Sequence, residues 1–302
     1  MDKNLFEELK EIGFKNIDDL DIYKKELKEE PVIEKKTNIQ TYLYDRTVVC
    51  PICGETFKTP SVKSSAYKTT GKESDFYINY SLINPYFYDV WLCNTCGYTA
   101  MKVDFDKITQ AERRLILENI TPQWTGRKYP NVRDENHAIE RYKLALLNYI
   151  VRKSKNSTKA ITCLKIAWMY RLKPEENFRP LELKFIEEAL TGFKEAYYNE
   201  VFPIYGMDKY ATMYLIGELY HRINDYDNAL IWLSNVLTTP GVKASLKELA
   251  RDQKDIISIK KKQQENTENT ETKDNEPLVE DLSYEASSKN KKGLFGKLFK
   301  RS

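Results

Sequence analysis

Two rhythms of apolar and polar positions run along this chain, and one gives way to the other near residue 107. Before that point the apolar residues are aromatic or branched and sit in short runs bounded by turn formers, which predicts strands. Tyr42, Tyr44 and Val48 make one such run, and Phe76 to Leu82 another. Asn84-Pro85 breaks the second run ahead of a third, Tyr86 to Leu92. Beyond residue 107 the spacing becomes helical, and helices are expected near 107–119, 135–152, 158–171, 181–200, 209–223, 226–238 and 243–262. Residues 4–28 carry a shorter helical pattern, with Leu5, Phe6, Leu9 and Ile12 in phase and Gly13 as a break. The fold class expected is therefore α+β and mostly α. A β-module spans 40–106, a helical domain spans 107–262, and an amphipathic extension occupies 1–39.

Within the helical half a repeat is visible. Ile216, Gly217 and Tyr220, followed by Ala229, Leu233 and Pro240, match the small-residue and aromatic spacing of a tetratricopeptide repeat. Ile166, Ala167 and Tyr170, followed by Ala189, Phe193 and Ala196, fit the same template, and Ala138, Tyr142 and Ala145 fit part of it. Stacked helix pairs of this kind form a concave groove. On the template Leu164, Trp168, Arg171, Tyr214, Glu218, His221 and Arg222 face it. Trp168, Arg171, Tyr214 and Arg222 are the expected partner-binding set, because two aromatics beside two arginines suit a peptide carrying an acidic or C-terminal group.

After the helices, residues 263–289 are polar and of low complexity, which predicts a disordered linker. A tail at 290–302 follows it. If that tail is helical, Leu294, Phe295, Leu298 and Phe299 share one face, opposite Lys297, Lys300 and Arg301. Basic residues opposite large apolar ones suit the surface of an anionic membrane. Charge is distributed to match. Residues 285–302 carry 6 Lys/Arg against one Glu, whereas residues 1–45 carry 8 against 12 Asp/Glu, so a total of +3 conceals oppositely charged ends. No run of apolar residues is long enough for a membrane-spanning helix, and the start lacks the character of a signal peptide. A cytoplasmic protein is expected, peripheral at the inner face of the cell membrane.

Four of the five cysteines form two pairs, Cys50-Pro-Ile-Cys53-Gly54 and Cys93-Asn-Thr-Cys96-Gly97. Each pair puts two thiols on a tight turn, and the following glycine lets the backbone fold back toward the sulfurs. Together Cys50, Cys53, Cys93 and Cys96 supply the soft donors of a tetrahedral zinc site. The Cys-Pro-x-Cys-Gly knuckle also suits a rubredoxin-like iron centre. Unrelated buried cysteines or disulfides are the remaining readings. With all four positions taken by sulfur, no ligand position is left for a catalytic water, so the metal is expected to be structural. The wide gap between the pairs requires a hairpin or longer excursion between them.

The knuckles, the Asn-Pro followed by Tyr-Asp-Val-Trp-x-Cys, and Cys-Gly-Tyr-x-Ala resemble a bacterial family known as domain of unknown function 2225. Tyr214 to Leu219 and Trp232-Leu233-Ser234 resemble that family's helical half. The resemblance implies a zinc-ribbon-like module fused to tetratricopeptide-like helices and brings no assigned reaction.

No phosphate loop, His-Glu-x-x-His or nucleophile elbow is present. His137 and His221 sit in helices, Asp104 and Asp106 fit a turn or cap, and Cys163 fits a helix contact. A non-catalytic scaffold that binds a protein or peptide is the reading favoured. The alternative is a nucleic-acid-binding zinc ribbon, for which Lys58, Lys63, Lys68, Lys72, Lys102 and Lys107 supply charge. Glu55, Glu73, Asp75, Asp89, Asp104 and Asp106 oppose it.

Overall fold

A computed structural model describes residues 38–174 and 176–273. The fold is α+β and mostly helical. Among the described residues six short strands form three antiparallel hairpins: β1 (Leu43–Val49) with β2 (Thr56–Val62), β3 (Thr69–Lys72) with β4 (Ile78–Tyr80), and β5 (Val90–Leu92) with β6 (Thr99–Met101). The first and third hairpins each carry a cysteine pair at the tip, and the second is the excursion between them. The expected strand at 76–82 is shorter than its composition implies. Only Ile78–Tyr80 pairs, because Phe76 adopts a positive φ of 71° and turns the chain. The run before the second knuckle likewise begins as a 3₁₀ turn, Pro85–Tyr88, whose first amide is capped by Asn84.

Seven helices follow among the described residues: α1 (Gln110–Asn119), α2 (Glu135–Val151), α3 (Asn156–Arg171), α4 (Arg179–Asn199), α5 (Lys209–Arg222), α6 (Tyr226–Thr238) and α7 (Ala244–Lys273). Side-chain oxygens fix several of their starts. Thr109 and Glu112 form a capping box on α1, and Asp208 and Asp225 cap α5 and α6. α3 packs against α4, α5 against α6, and α7 against α6 and α5. Small residues lie at these crossings. A Cβ at Gly217 would come within 2.9 Å of Leu233, and one at Gly192 within 2.9 Å of Ala160. α7 runs to Lys273 and so takes in the first part of the stretch expected to be a linker. The reason is physical: Gln, Glu and Lys extend a helix readily once packing has nucleated it, and no glycine or proline stops it before Pro277. The rest of the expected linker, the N-terminal extension up to residue 37, and the tail with Leu294, Phe295, Leu298 and Phe299 lie outside the described residues.

One continuous apolar cluster joins the two halves. It runs from Cys50, Ile52, Trp91, Cys93 and Tyr98 through Tyr142 and Tyr149 to Phe193, Tyr214 and Leu233. A smaller cluster of Leu43, Val62, Ala66, Ile83 and Tyr88 sits at the far end of the first hairpin. Among the described residues no helix is long and apolar enough to cross a membrane.

Candidate metal centre and the filled groove

The two knuckles are built alike. Cys50 N–H donates to Glu55 O at 2.8 Å and Gly54 N–H to Cys50 O at 2.9 Å, while Cys93 N–H donates to Tyr98 O and Gly97 N–H to Cys93 O, both at 2.9 Å. Gly54 and Gly97 adopt φ of 80° and 77°, a region that L side chains rarely enter, which is why glycine follows each pair. The turns bring the four sulfurs within 4.8 Å of one another, with Cys50–Cys96 and Cys53–Cys93 each at 3.6 Å. A tetrahedron with metal–sulfur bonds of about 2.3 Å has sulfur–sulfur edges of about 3.8 Å, so the cluster has the size of a four-thiolate site. All five cysteines are free thiols, which excludes a disulfide between the knuckles in this structure. Sulfur donors of this kind fit zinc and fit iron. Hydrogen bonds among the sulfurs pull the Cys93 thiol below its ordinary value and push those of Cys50 and Cys96 above it.

Helix α1 and the loop after it hold both knuckles from behind. Arg113 Nε donates to Ile52 O at 2.8 Å, Thr121 Oγ1 to Cys96 O at 3.0 Å and Trp124 Nε1 to Asn94 O at 2.8 Å. The Trp124 side chain lies so close to Gly97 that a Cβ there would come within 2.7 Å of it. Sequence reasoning missed these three residues. Trp124, alone among polar neighbours just beyond α1, was the one available signal.

The second hairpin inserts its tip, residues 73–77, between α3 and α5. Asp75, 0% exposed, accepts from Trp168 Nε1 at 3.0 Å and Arg171 Nη2 at 2.7 Å, and lies 3.3 Å from Arg222 Nε. Glu73 accepts from Arg171 Nη1 at 2.6 Å and from Arg222 Nη2 at 3.4 Å. Ser74 Oγ donates to Glu218 at 2.6 Å, and Phe76 stacks on Tyr214 with ring centroids 5.4 Å apart. Tyr77 and Tyr86 flank the Trp168 indole. Glu182 and Glu218 complete the arginines' coordination at 2.8 and 3.0 Å. Burial alone would raise the Asp75 pKa, but Arg171 and Arg222 outweigh it and hold the carboxyl below its usual range.

The four residues expected to line an open groove are therefore brought together, but they do not face solvent. Trp168, Arg171, Tyr214 and Arg222 grip an acidic and aromatic segment of the same chain. Their chemistry was legible in the sequence; their occupant was not. A second anchor lies nearby, where Lys165 and Lys102 pair with buried Asp89 and Tyr142 Oη donates to it. Asp104 accepts from Tyr205 at 2.6 Å and from Tyr149 at 3.3 Å. Most of the module's acids thus point into the helices, whereas Lys58, Lys63, Lys68, Lys72, Lys102 and Lys107 are exposed.

His137 sits in the capping box of α2 with Asp134. His221 is buried between Gln253 and Lys260, each at 3.1 Å. Cys163 is 5% exposed, and burial pushes its thiol up to about 12. Asp106 is exposed and lies outside the Asp104 cluster.

The model of the family described as uncharacterised proteins conserved in bacteria, domain of unknown function 2225, matches residues 43–257, and the chain belongs to that family. No curated protein and no solved structure matches it.

Proposed function

We propose that this member of the family is a non-catalytic scaffold, with structural zinc in the four-cysteine site and a tetratricopeptide-like stack that recognises an acidic residue followed by an aromatic one. The observation that carries the reading is the seating of Asp75 and Phe76 on Arg171, Arg222, Trp168 and Tyr214. Two guanidinium groups, an indole N–H and an aromatic face make one recognition set, and the chain fills it in cis. A tethered loop acts at an effective concentration in the millimolar range, so a partner peptide binds only where it outcompetes the loop or the loop is released. The tail carrying Leu294, Phe295, Leu298 and Phe299 brings the scaffold to an anionic membrane surface by weak, reversible contact.

The test is a titration of a synthetic peptide of residues 70–80 into the full chain. A chain carrying Asp75→Ala and Phe76→Ala, whose own loop is disabled, is expected to bind the peptide at least ten times more tightly than the wild type. No binding to the disabled chain, once shown to be folded, removes the groove reading.

Nucleic-acid binding is the second reading. The observation favouring it is the distribution of charge in the β-module, where Asp75, Asp89 and Asp104 are buried and Lys58, Lys63, Lys68 and Lys72 are exposed, with Glu55 and Asp106 exposed against it. Salt-dependent binding of DNA or RNA, lost when Lys58, Lys63, Lys68 and Lys72 are changed to Gln, would place it first.

A further inference from the structure

A second recess lies on the helical stack and shares no residue with the groove that residues 73–77 fill. α4 and α6 both pack on α5, and a cleft of about 480 Å³ opens between them. Tyr197 and Tyr198, in the last turn of α4, form one wall, and Ile231, Trp232 and Asn235 form the other along α6. The rings meet at steep angles: Trp232 stands 5.2 Å from Tyr197 at 84° and 6.3 Å from Tyr198 at 60°. Tyr198 is 71% exposed and Ile231 58%, so the cleft is open to solvent at its mouth.

The polar groups of the cleft select its occupant. Of the four tryptophans, Trp124 and Trp168 donate their indole N–H to Asn94 O and Asp75, and the Trp91 N–H is buried without a partner among the described residues. The Trp232 N–H also meets no acceptor among the described residues, but it is not buried, and its ring lines the cleft. Asn235, exposed and three residues further along α6, places a side-chain amide on the same face. Lys209 is the one charged residue lining the cleft, and its Nζ lies 5.0 Å over the Tyr197 ring. The lining therefore offers hydrogen-bond donors, aromatic faces and a positive charge, with no carboxylate. A cationic ligand does not suit it, because Lys209 already holds the Tyr197 face. A proline-rich segment does. Proline has no N–H, and the polyproline II helix leaves its carbonyls free to accept while its rings fill aromatic-lined grooves.

We propose that the Tyr197–Tyr198–Trp232 cleft binds a proline-rich, acidic segment of a partner protein in the polyproline II conformation. Prolines pack between the rings, carbonyls accept from Trp232 Nε1 and the Asn235 amide, and a carboxylate of the same segment pairs with Lys209. The cleft is separate from the recognition set that holds Asp75 and Phe76, so either reading can fail without the other.

The test follows the tryptophan indole N–H signals of the isotope-labelled full chain by NMR, with Trp232→Phe identifying the signal of residue 232. An oligoproline peptide bearing an aspartate is expected to shift that signal saturably, and a glycine–serine peptide of equal length and charge is expected to leave it in place. Tyr198→Ala and Lys209→Gln, both at exposed positions and each shown folded by its thermal melt, are expected to weaken oligoproline binding at least about fivefold. No shift, an equal response to the glycine–serine peptide, or unchanged affinity in both variants overturns the proposal. It is also overturned by a shift that follows protein concentration without peptide, which places a second copy in the cleft, or by one that a neutral oligosaccharide produces and oligoproline does not.

Discussion

Replacing Asp75 by Asn keeps the shape of the loop tip and removes only its charge. In the folded chain that carboxylate is fully buried and meets Arg171 Nη2 at 2.7 Å, Arg222 Nε at 3.3 Å and Trp168 Nε1 at 3.0 Å. Breaking a buried pair from one side costs about 3–5 kcal/mol. The arginine side chains are 17% and 18% exposed and retain Glu73, Glu182 and Glu218, so the lower end applies, about 3 kcal/mol. For a chain of this size that corresponds to a fall in Tm of about 6–12 °C. Urea unfolding at pH 7 measures it, with Glu73→Gln, at a partly exposed carboxylate that water screens, as the control expected to lose under about 1 kcal/mol. Combined with Arg222→Met, Asp75→Asn should show a coupling of about 1–3 kcal/mol. A loss below about 1 kcal/mol, or strict additivity, would refute the claim that this cluster fastens the β-module to the helices.

Acid should act through the same group. The Asp75 and Asp89 pKa values are depressed in the folded chain, so their contribution is complete above the unfolded value of about 3.9 and is lost as pH falls below it. Wild-type stability should drop steeply below about pH 4, and Asp75→Asn should flatten that drop in urea melts taken from pH 7 to pH 2.5. Gly97→Ala forces a Cβ to within 2.7 Å of Trp124 at a φ of 77°. It should cost about 3 kcal/mol or more, whereas Gly206→Ala, with a φ of 78° but open space, should cost only the backbone strain of about 1–2 kcal/mol, both read by thermal melts. The full-length chain should float with anionic liposomes at low salt and not with neutral ones. Phe295→Glu with Phe299→Glu should abolish flotation, and a wild-type chain that ignores anionic liposomes removes the membrane reading.

What the sequence made legible was local. The knuckles declare themselves through pairs with two residues between them and a glycine behind, and the helices through a 3.6-residue period that needs no knowledge of the partner face. Trp168, Arg171, Tyr214 and Arg222 were expected to line an open groove, and the structure brings them together around residues 73–77 instead. Their occupant was hidden because Asp75 and Arg171 stand 96 residues apart, and no local pattern announces such a pairing. Phe76 and Tyr77 read as strand, yet one stacks on Tyr214 and the other on Trp168. The continuity of the core was hidden for the same reason. Cys93 and Cys96 belong to one apolar cluster with Tyr142 and Tyr149 of α2, so loss of the metal is expected to destabilise both halves together rather than the β-module alone.

The metal content of the purified full-length chain tests the account most directly. Elemental analysis should find one zinc per chain, and Cys93→Ser should lose both the zinc and the cooperative unfolding transition. Stoichiometric iron with a visible thiolate-to-metal absorption band, or a metal-free chain that unfolds as cooperatively as the wild type, would contradict it.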